Sequence, residues 1–290
     1  NSNHSFAVDY ITSRLTCRLD CSIINHKFNR KRSVCMSEKV WRTEELDISG
    51  FKYPVRYSQS AIENVFVPFL KTLAHLRTDL DRKIVCYLAA PPCCGKTALS
   101  VFLEKLSNER SDLEPIQSVS MDGFHFSNEY LKAHLAMRDG STIPMIAIKG
   151  APETFDTDLM QQKIRAVRGE GTDWPVYDRN IHDVIPDAVS IECDIILLEG
   201  NYLLLRNPKW TNIRALADYS VFIKAEPELL KERLIERKMH GGKTLEQAER
   251  FFDQSDVKNI NVVTKMSVAA DETWQLLPDG DYELLSKRED

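Results

Sequence analysis

The stretch Lys83–Leu106, "KIVCYLAAPPCCGKTALSVFLEKL", decides the fold. Its first eight residues are apolar and rich in β-branched side chains, the pattern of a strand buried on both faces of a parallel sheet. Its last ten, from Thr97, repeat apolar residues at helical spacing. Between them the chain turns through Gly95-Lys96-Thr97. A strand, a glycine-lysine-threonine turn and a helix in that order form the setting of a phosphate-binding loop. The usual spacing is Gly, four residues, then Gly-Lys-Ser/Thr, and here Ala90 stands in the first glycine position.

Such a loop needs backbone N–H groups turned toward phosphates, a helix N-terminus behind them, a lysine for the β/γ oxygens and a hydroxyl for Mg²⁺. Ala90, Pro91, Pro92, Cys93, Cys94, Gly95, Lys96, Thr97 and Ala98 are therefore the expected ATP-binding residues. Ala90 is tolerable if its φ stays negative. Cys93 is the more demanding replacement, because glycines in the middle of such loops often take positive φ. A thiol at a helix N-terminus beside a lysine also suggests a lowered pKa and redox sensitivity at Cys93 and Cys94. The competing reading is a chance tripeptide at an ordinary helix start.

Outward from this stretch, strands and helices alternate. Strands are expected at Ile116–Ser120, Asp194–Leu198 and Tyr219–Ala225, and helices at Asp156–Val167, Pro227–Met239 and Thr244–Phe252. The apolar residues Ile62, Val65, Phe66, Phe69, Leu70, Leu73 and Leu76 mark a further helix ahead of the loop. The pattern predicts an α/β fold, a three-layer α/β/α phosphate-loop core with a mostly parallel sheet. Small β-hairpins are expected at Glu45–Tyr57, turning at Ser49-Gly50, and around Pro278-Asp279-Gly280 near the C-terminus, with a helical lid between.

Two further strand ends carry acids. Asp122, in "SVSMDGFHFSNEY", follows a strand expected to lie beside the phosphate-loop strand, which would bring it to the γ-phosphate and a metal ion; Gly123 would let the chain turn away. Its alternative is a helix-capping aspartate. His125 is a loop histidine that serves either as a fallback base in the acceptor site or only as packing. Glu199 ends the apolar run "CDIILLEG", a position suited to Mg²⁺. Arg233 and Arg237 lie four apart and share a helix face. They either close over the transferring phosphoryl group or pair with Glu232 and Glu236 as a solvated surface.

Composition bounds the rest. The 290 residues carry 43 acids against 38 lysines and arginines, a net charge of −5 that argues against a nucleic-acid or other polyanion partner. No run of about 18 apolar residues is present to cross a membrane. The seven cysteines are scattered without a matched CxxC pair, which favours a reduced, cytosolic protein over a disulfide or zinc framework. Residues 1–35 contain Arg14, Arg18, Lys27, Arg30, Lys31 and Arg32 against Asp9 and Asp20 only. This segment reads as a basic leader or extension outside the fold, with 36–290 as one phosphate-loop domain. Whether the chain forms a homo-oligomer is open.

Taken in order, "PPCCGKT", "MDGFH", "KGAPETFD", "WPVYDRNIHD", "LEGNYLLL" and "SDVKN" resemble the uridine kinase, phosphoribulokinase and bacterial pantothenate kinase superfamily, in particular its enterobacterial YggC-type branch. The likeness runs from about Leu46 to the C-terminus and departs from the pattern at Ala90 and Cys93. It implies ATP- and Mg²⁺-dependent phosphorylation of a small-molecule hydroxyl. It further implies Asp122 as general base, Tyr177, Arg179 and His182 in the acceptor segment, and Arg233 and Arg237 as lid arginines. Two other functions stay open at this point: a phosphate-loop ATPase or regulator without an acceptor, and a non-catalytic scaffold.

Overall fold

The structure, a computed structural model, describes residues 39–288 apart from 49, 139 and 170, so the basic segment 1–35 lies outside the described residues. The described chain opens with an antiparallel hairpin, β1 (Trp41–Ile48) and β2 (Phe51–Ser58), paired from Trp41↔Ser58 to Ile48↔Phe51. Gly50 makes the turn at φ +80°, a conformation open to glycine because it has no Cβ. Helix α1 (59–80) follows. Its N-terminus is capped by the Ser58 hydroxyl, which accepts from the Ala61 N–H at 3.0 Å. Pro68 has no N–H to offer the preceding turn, and the ladder adjusts through a π-helical turn at Ile62–Phe66.

Next come β3 (Ile84–Ala89), α2 (Lys96–Glu109) and β4 (Ile116–Ser120), then a 3₁₀ turn at Met121–Phe124 and helix α3 (Asn128–Ala133). A short hairpin, β5 (Leu135–Arg138) with β6 (Ser141–Pro144), precedes α4 (Thr157–Val167). A longer hairpin, β7 (Asp173–Asp178) with β8 (Asp183–Ser190), leads to β9 (Ile195–Gly200). The chain closes with α5 (Pro208–Arg214), β10 (Tyr219–Lys224), α6 (Pro227–His240), α7 (245–266), β11 (Glu272–Leu276) and β12 (Tyr282–Lys287).

Six strands form one sheet in the order β12-β11-β10-β3-β9-β4, parallel throughout except for β12 at one edge. Every residue of β3 and of β9 is buried, as their unbroken apolar sequences require. Alternate residues of β3 face opposite ways. Ile84, Cys86 and Leu88 pack with α1, α2, α6 and the β1–β2 hairpin, whereas Val85, Tyr87 and Ala89 pack with α4 and α5. These are the two helical layers of an α/β/α sandwich, with Trp174, Trp210 and Trp274 among the largest fully buried side chains.

The order of the strands corrects one expectation. The neighbour of β3 is β9, not β4, and β4 is the edge strand beyond it. The reason is legible afterwards in the side chains. "IILLEG" is apolar without a break, while "IQSVS" alternates with polar residues and has a half-exposed face, which suits an edge. Gln117 on that edge ties β4 to the β8 end, donating to the Ser190 carbonyl at 2.8 Å and accepting from the Glu192 N–H at 2.8 Å.

Four elements were not among those expected: both inner hairpins, α3 and α5. A fifth was too short, since the helix expected at Thr244–Phe252 continues to Met266 through a second π-helical turn at Phe252–Asp256. Among the described residues no helix is long and apolar enough to cross a membrane.

Candidate active site

The phosphate loop spans Ala90–Gly95, between the C-terminal end of β3 and the N-terminus of α2. Ala90 is fully buried, keeps a negative φ, and donates its N–H to the Gly200 carbonyl at 3.3 Å, so its methyl is tolerated. Cys93 takes φ +64° and Gly95 φ +78°. A cysteine in the left-handed region is strained, because its Cβ approaches the following carbonyl. No side chain caps α2, which leaves its first N–H groups directed at the loop. The loop is held from outside: the Tyr282 hydroxyl donates to the Cys94 carbonyl at 2.6 Å, and the Arg233 guanidinium to the Cys93 carbonyl at 3.5 Å. A Cβ on Gly95 would stand 2.8 Å from the Tyr282 hydroxyl, so glycine is required there on two counts.

The lowered pKa expected of the loop thiols is overturned. Burial pushes the Cys94 thiol up to about 12 and raises Cys93 as well, outweighing Lys96 for both and Arg237 for Cys93. The helix N-terminus and the lysine are present, but a desolvated thiolate is costlier than they can offset. Among the described residues Cys86, Cys93, Cys94 and Cys193 are all unbridged.

Beside the loop, the adjacent strand end delivers Glu199. Its carboxylate is 2% exposed, accepts from the Thr97 hydroxyl at 3.0 Å, and lies 3.8 Å from the Lys96 ammonium. The Oε2 oxygen has no hydrogen-bond partner. Burial raises the Glu199 pKa above its ordinary 4.5, the nearby Asp122 adds to the rise, and Lys96 and the Ser120 and Thr97 hydroxyls oppose it. An orphaned buried carboxylate oxygen next to a threonine hydroxyl suits Mg²⁺, which keeps most of its waters and takes one or two protein oxygens plus phosphate. Among the described residues no group of three His, Cys, Asp or Glu side chains could hold a metal ion by itself.

This geometry makes a stability prediction. A group whose folded pKa is raised contributes stability below its unfolded value and a penalty once pH rises through the folded value. Glu199→Gln removes the charge and keeps the hydrogen-bonding shape. It is expected to stabilise the ligand-free protein by about 1 kcal/mol at neutral pH. The gain should vanish below the ordinary glutamate value of 4.5. Thermal melts of variant and parent between pH 4 and 8 check this, and a lower melting temperature for the variant at neutral pH would contradict it.

Asp122 opens the 3₁₀ turn that follows β4, with its N–H donating to the Ser120 hydroxyl at 3.1 Å. It lines a cavity of about 140 Å³ with Thr97, Glu199, Ser120, Tyr177 and Arg179, among others. The β7–β8 hairpin forms the far wall, and Gly123 is what lets it approach. A Cβ at Gly123 would overlap the Pro175 carbonyl of β7. The glycine therefore serves close packing rather than a turn. Gly123→Ala is expected to lower stability by about 2 kcal/mol, since two backbones must part; an unchanged urea midpoint would contradict this seating. Gly200 likewise admits Met121, whose side chain would overlap a Cβ there.

His125 packs its ring 3.9 Å from that of Phe155 and 5.3 Å from that of Tyr177. Its Nδ1 lies 2.8 Å from the Asp122 carbonyl, so Nδ1 carries the proton and Nε2 is left as acceptor. Burial lowers its pKa, which keeps the ring neutral. Lys149, not singled out from the sequence, reaches the same place. Its ammonium donates to the Asn128 side chain at 2.6 Å and the His182 carbonyl at 2.8 Å, and stands 4.8 Å over the Tyr177 ring. Burial lowers its pKa. It is the lone cation in the apolar run "MIAIKGAPETF", which is the signal that marks it. His182 is exposed at the hairpin turn with φ +53°, and it is its carbonyl, not its ring, that is engaged.

A second and larger cleft of about 910 Å³ lies over the loop, lined by Gly95, Lys96, Thr97, Arg179, Arg233 and Arg237 among others. Arg179 and Thr97 border both spaces. Neither Arg233 nor Arg237 pairs with Glu232 or Glu236. Lys238, beside them, turns to Asp256 at 2.9 Å and to the Phe251 ring at 4.1 Å, fastening α6 to α7.

A phosphate loop on the central strand of a parallel sheet, an acid at the end of the next strand and two arginines over the cleft define a P-loop kinase core. The chain belongs to the phosphoribulokinase/uridine kinase family, whose model matches residues 85–282. It is thus a member of a family of phosphotransferases with alcohol acceptors. It is 38% identical over 243 residues to the uncharacterized protein YggC of Escherichia coli, covering 83% of this chain and 99% of that one. Over 205 residues it is 32% identical to a candidate uridine kinase of Schizosaccharomyces pombe, covering 68% and 85%. In structure it is similar to a candidate fructose transport system kinase from Silicibacter sp. TM1040, with a TM-score of 0.60, 27% identity and coverage of 70% and 98%.

Proposed function

We propose that this protein is an ATP- and Mg²⁺-dependent kinase that transfers the γ-phosphoryl group to a hydroxyl of a small molecule of the nucleoside, sugar or pantothenate kind. The observation that carries the reading is that Asp122, Thr97 and Glu199 border one cavity. An acceptor held there meets a carboxylate on one side and the phosphate loop on the other.

Lys96 and the α2 N-terminus hold the phosphates, and Thr97 and Glu199 hold the metal with Asp122 nearby. Bound Mg²⁺ supplies charge neutralisation on the β and γ oxygens. Asp122 accepts the proton of the attacking hydroxyl. Arg233 and Arg237 stabilise charge on the transferring group from the opposite side. Tyr177 and Arg179 form the acceptor wall, and His125 and Lys149 support it by packing against the Tyr177 ring. A phosphate-loop ATPase or regulator without an acceptor would leave this wall without a purpose.

The test is ADP release by the full chain against a panel of nucleosides, sugars, sugar phosphates and vitamins, with product masses measured. One acceptor giving a product heavier by a phosphoryl group supports the proposal. ATP hydrolysis that no acceptor stimulates would favour the ATPase.

A further inference from the structure

The lining of the 910 Å³ cleft is of two kinds. Lys96 of the loop and Arg233 and Arg237 of α6 make one part cationic. Ile48, Tyr53 and Pro54 of the N-terminal hairpin make another part apolar, which the kinase reading does not use.

The pairing of the hairpin makes this wall unusual. Directly opposed residues of an antiparallel pair share a face, and here Arg42↔Tyr57, Glu44↔Val55, Leu46↔Tyr53 and Ile48↔Phe51 lie on one side. That side is the core side: Leu46, Ile48 and Tyr57 are 3%, 6% and 4% exposed. Tyr53 and Phe51 belong to the same face, yet they are 41% and 43% exposed. Of the two, it is Tyr53 that borders the cleft.

The wall is also fixed relative to the phosphate loop. Arg42 lies over the Phe102 ring of α2 at 5.4 Å and pairs with Glu109 at the far end of that helix, and Lys105 of α2 stands 3.8 Å from Glu44. Lys39 pairs with Asp279 at 2.7 Å and Asp281 at 3.2 Å, just before the tyrosine that holds the loop. The hairpin is thus braced on the helix whose N-terminus faces the phosphates.

We infer that the β1–β2 hairpin is the nucleoside wall of the site, with Tyr53 stacking on the base of the nucleoside triphosphate whose phosphates lie in the Ala90–Gly95 loop. The inference rests on the kinase reading and extends it. A triphosphate suits the cationic part, and an aromatic base suits a flat, half-exposed ring on an apolar face. Glu236 and His240 border the same cleft and offer polar groups to the base edge. Asp122, the base proposed for the acceptor, does not border this cleft.

The test is calorimetric titration of the full chain with ATP and with tripolyphosphate, both with Mg²⁺, for the parent and three variants. Tyr53→Ala is expected to weaken ATP about tenfold, the scale of a lost base–aromatic stack, and to leave tripolyphosphate unchanged. Tyr53→Leu, which keeps apolar bulk without a flat ring, should lose nearly as much. Tyr53→Phe should bind ATP like the parent. Parental ATP affinity in the alanine and leucine variants would overturn the inference, as would an equal loss for both ligands, which would make the hairpin a support for the loop only. A parent that binds ATP while these variants match it leaves the kinase reading standing. A parent that binds neither ligand overturns both.

Discussion

Asp122→Asn is expected to fold, to bind Mg-ATP close to parental affinity, and to turn over a confirmed acceptor about a hundredfold or more slowly, the scale of a lost general base. The substitution keeps the size and most of the hydrogen bonding and removes the charge and the basicity. The strand order sharpens the case. Because β9 lies between β3 and β4, Glu199 is placed against the loop lysine and threonine, and Asp122 stands one strand farther out, on the side of Tyr177 and Arg179. Both acids border the cavity, but Glu199 is the one that accepts from Thr97 and lies against Lys96. His125→Gln should cost less, since His125 is not among the residues that line the cavity bordered by Asp122, Thr97 and Glu199. An Asp122→Asn enzyme running near the parental rate would remove the aspartate from the chemistry. A loss confined to Mg-ATP affinity would move it to the metal.

Lys96→Ala is expected to weaken Mg-ATP by about 3 kcal/mol, roughly two orders of magnitude in Kd, because a charged donor to a partly desolvated phosphate is lost. It should also destabilise the ligand-free protein at neutral pH. Lys96 is the only cation in salt-bridge reach of the buried Glu199 among the described residues, and the carboxylate already lacks a partner for one oxygen. The double variant Lys96→Ala/Glu199→Gln separates the two effects: it should recover the melting temperature without recovering ATP. Calorimetry and thermal melts on the three proteins decide the matter. Parental ATP affinity in Lys96→Ala would show that the loop is not a nucleotide site.

The sequence determined those parts of the protein that depend on neighbours along the chain. A short apolar run with β-branched residues ahead of a glycine turn reads as a strand covered on both faces, and a helical repeat follows Gly95-Lys96-Thr97, so β3, the loop and α2 were legible from one stretch. The demand on Cys93 for positive φ was also local and was met at +64°. The β1–β2 hairpin and the antiparallel edge pair announced themselves by alternation and turn residues.

Tertiary structure alone decided what depends on residues far apart in sequence. Strand order is one such property, because a strand end reads the same whether or not it lies next to β3, and only the packing of β9 into the centre separated Glu199 from Asp122. The loop thiols are another: the lowered pKa expected from their local setting lost to burial in the folded core, where the Tyr282 hydroxyl, about 190 residues away in sequence, reaches the Cys94 carbonyl. The β5–β6 and β7–β8 hairpins went unread because their strands are short or mostly exposed and carry little apolar alternation. Lys149 gained its place by the folding of the β7–β8 turn over Asn128. Periodicity records which face of an element is buried, but not what buries it, and the nucleoside wall, the acceptor wall and the braces of the loop are all answers to that second question.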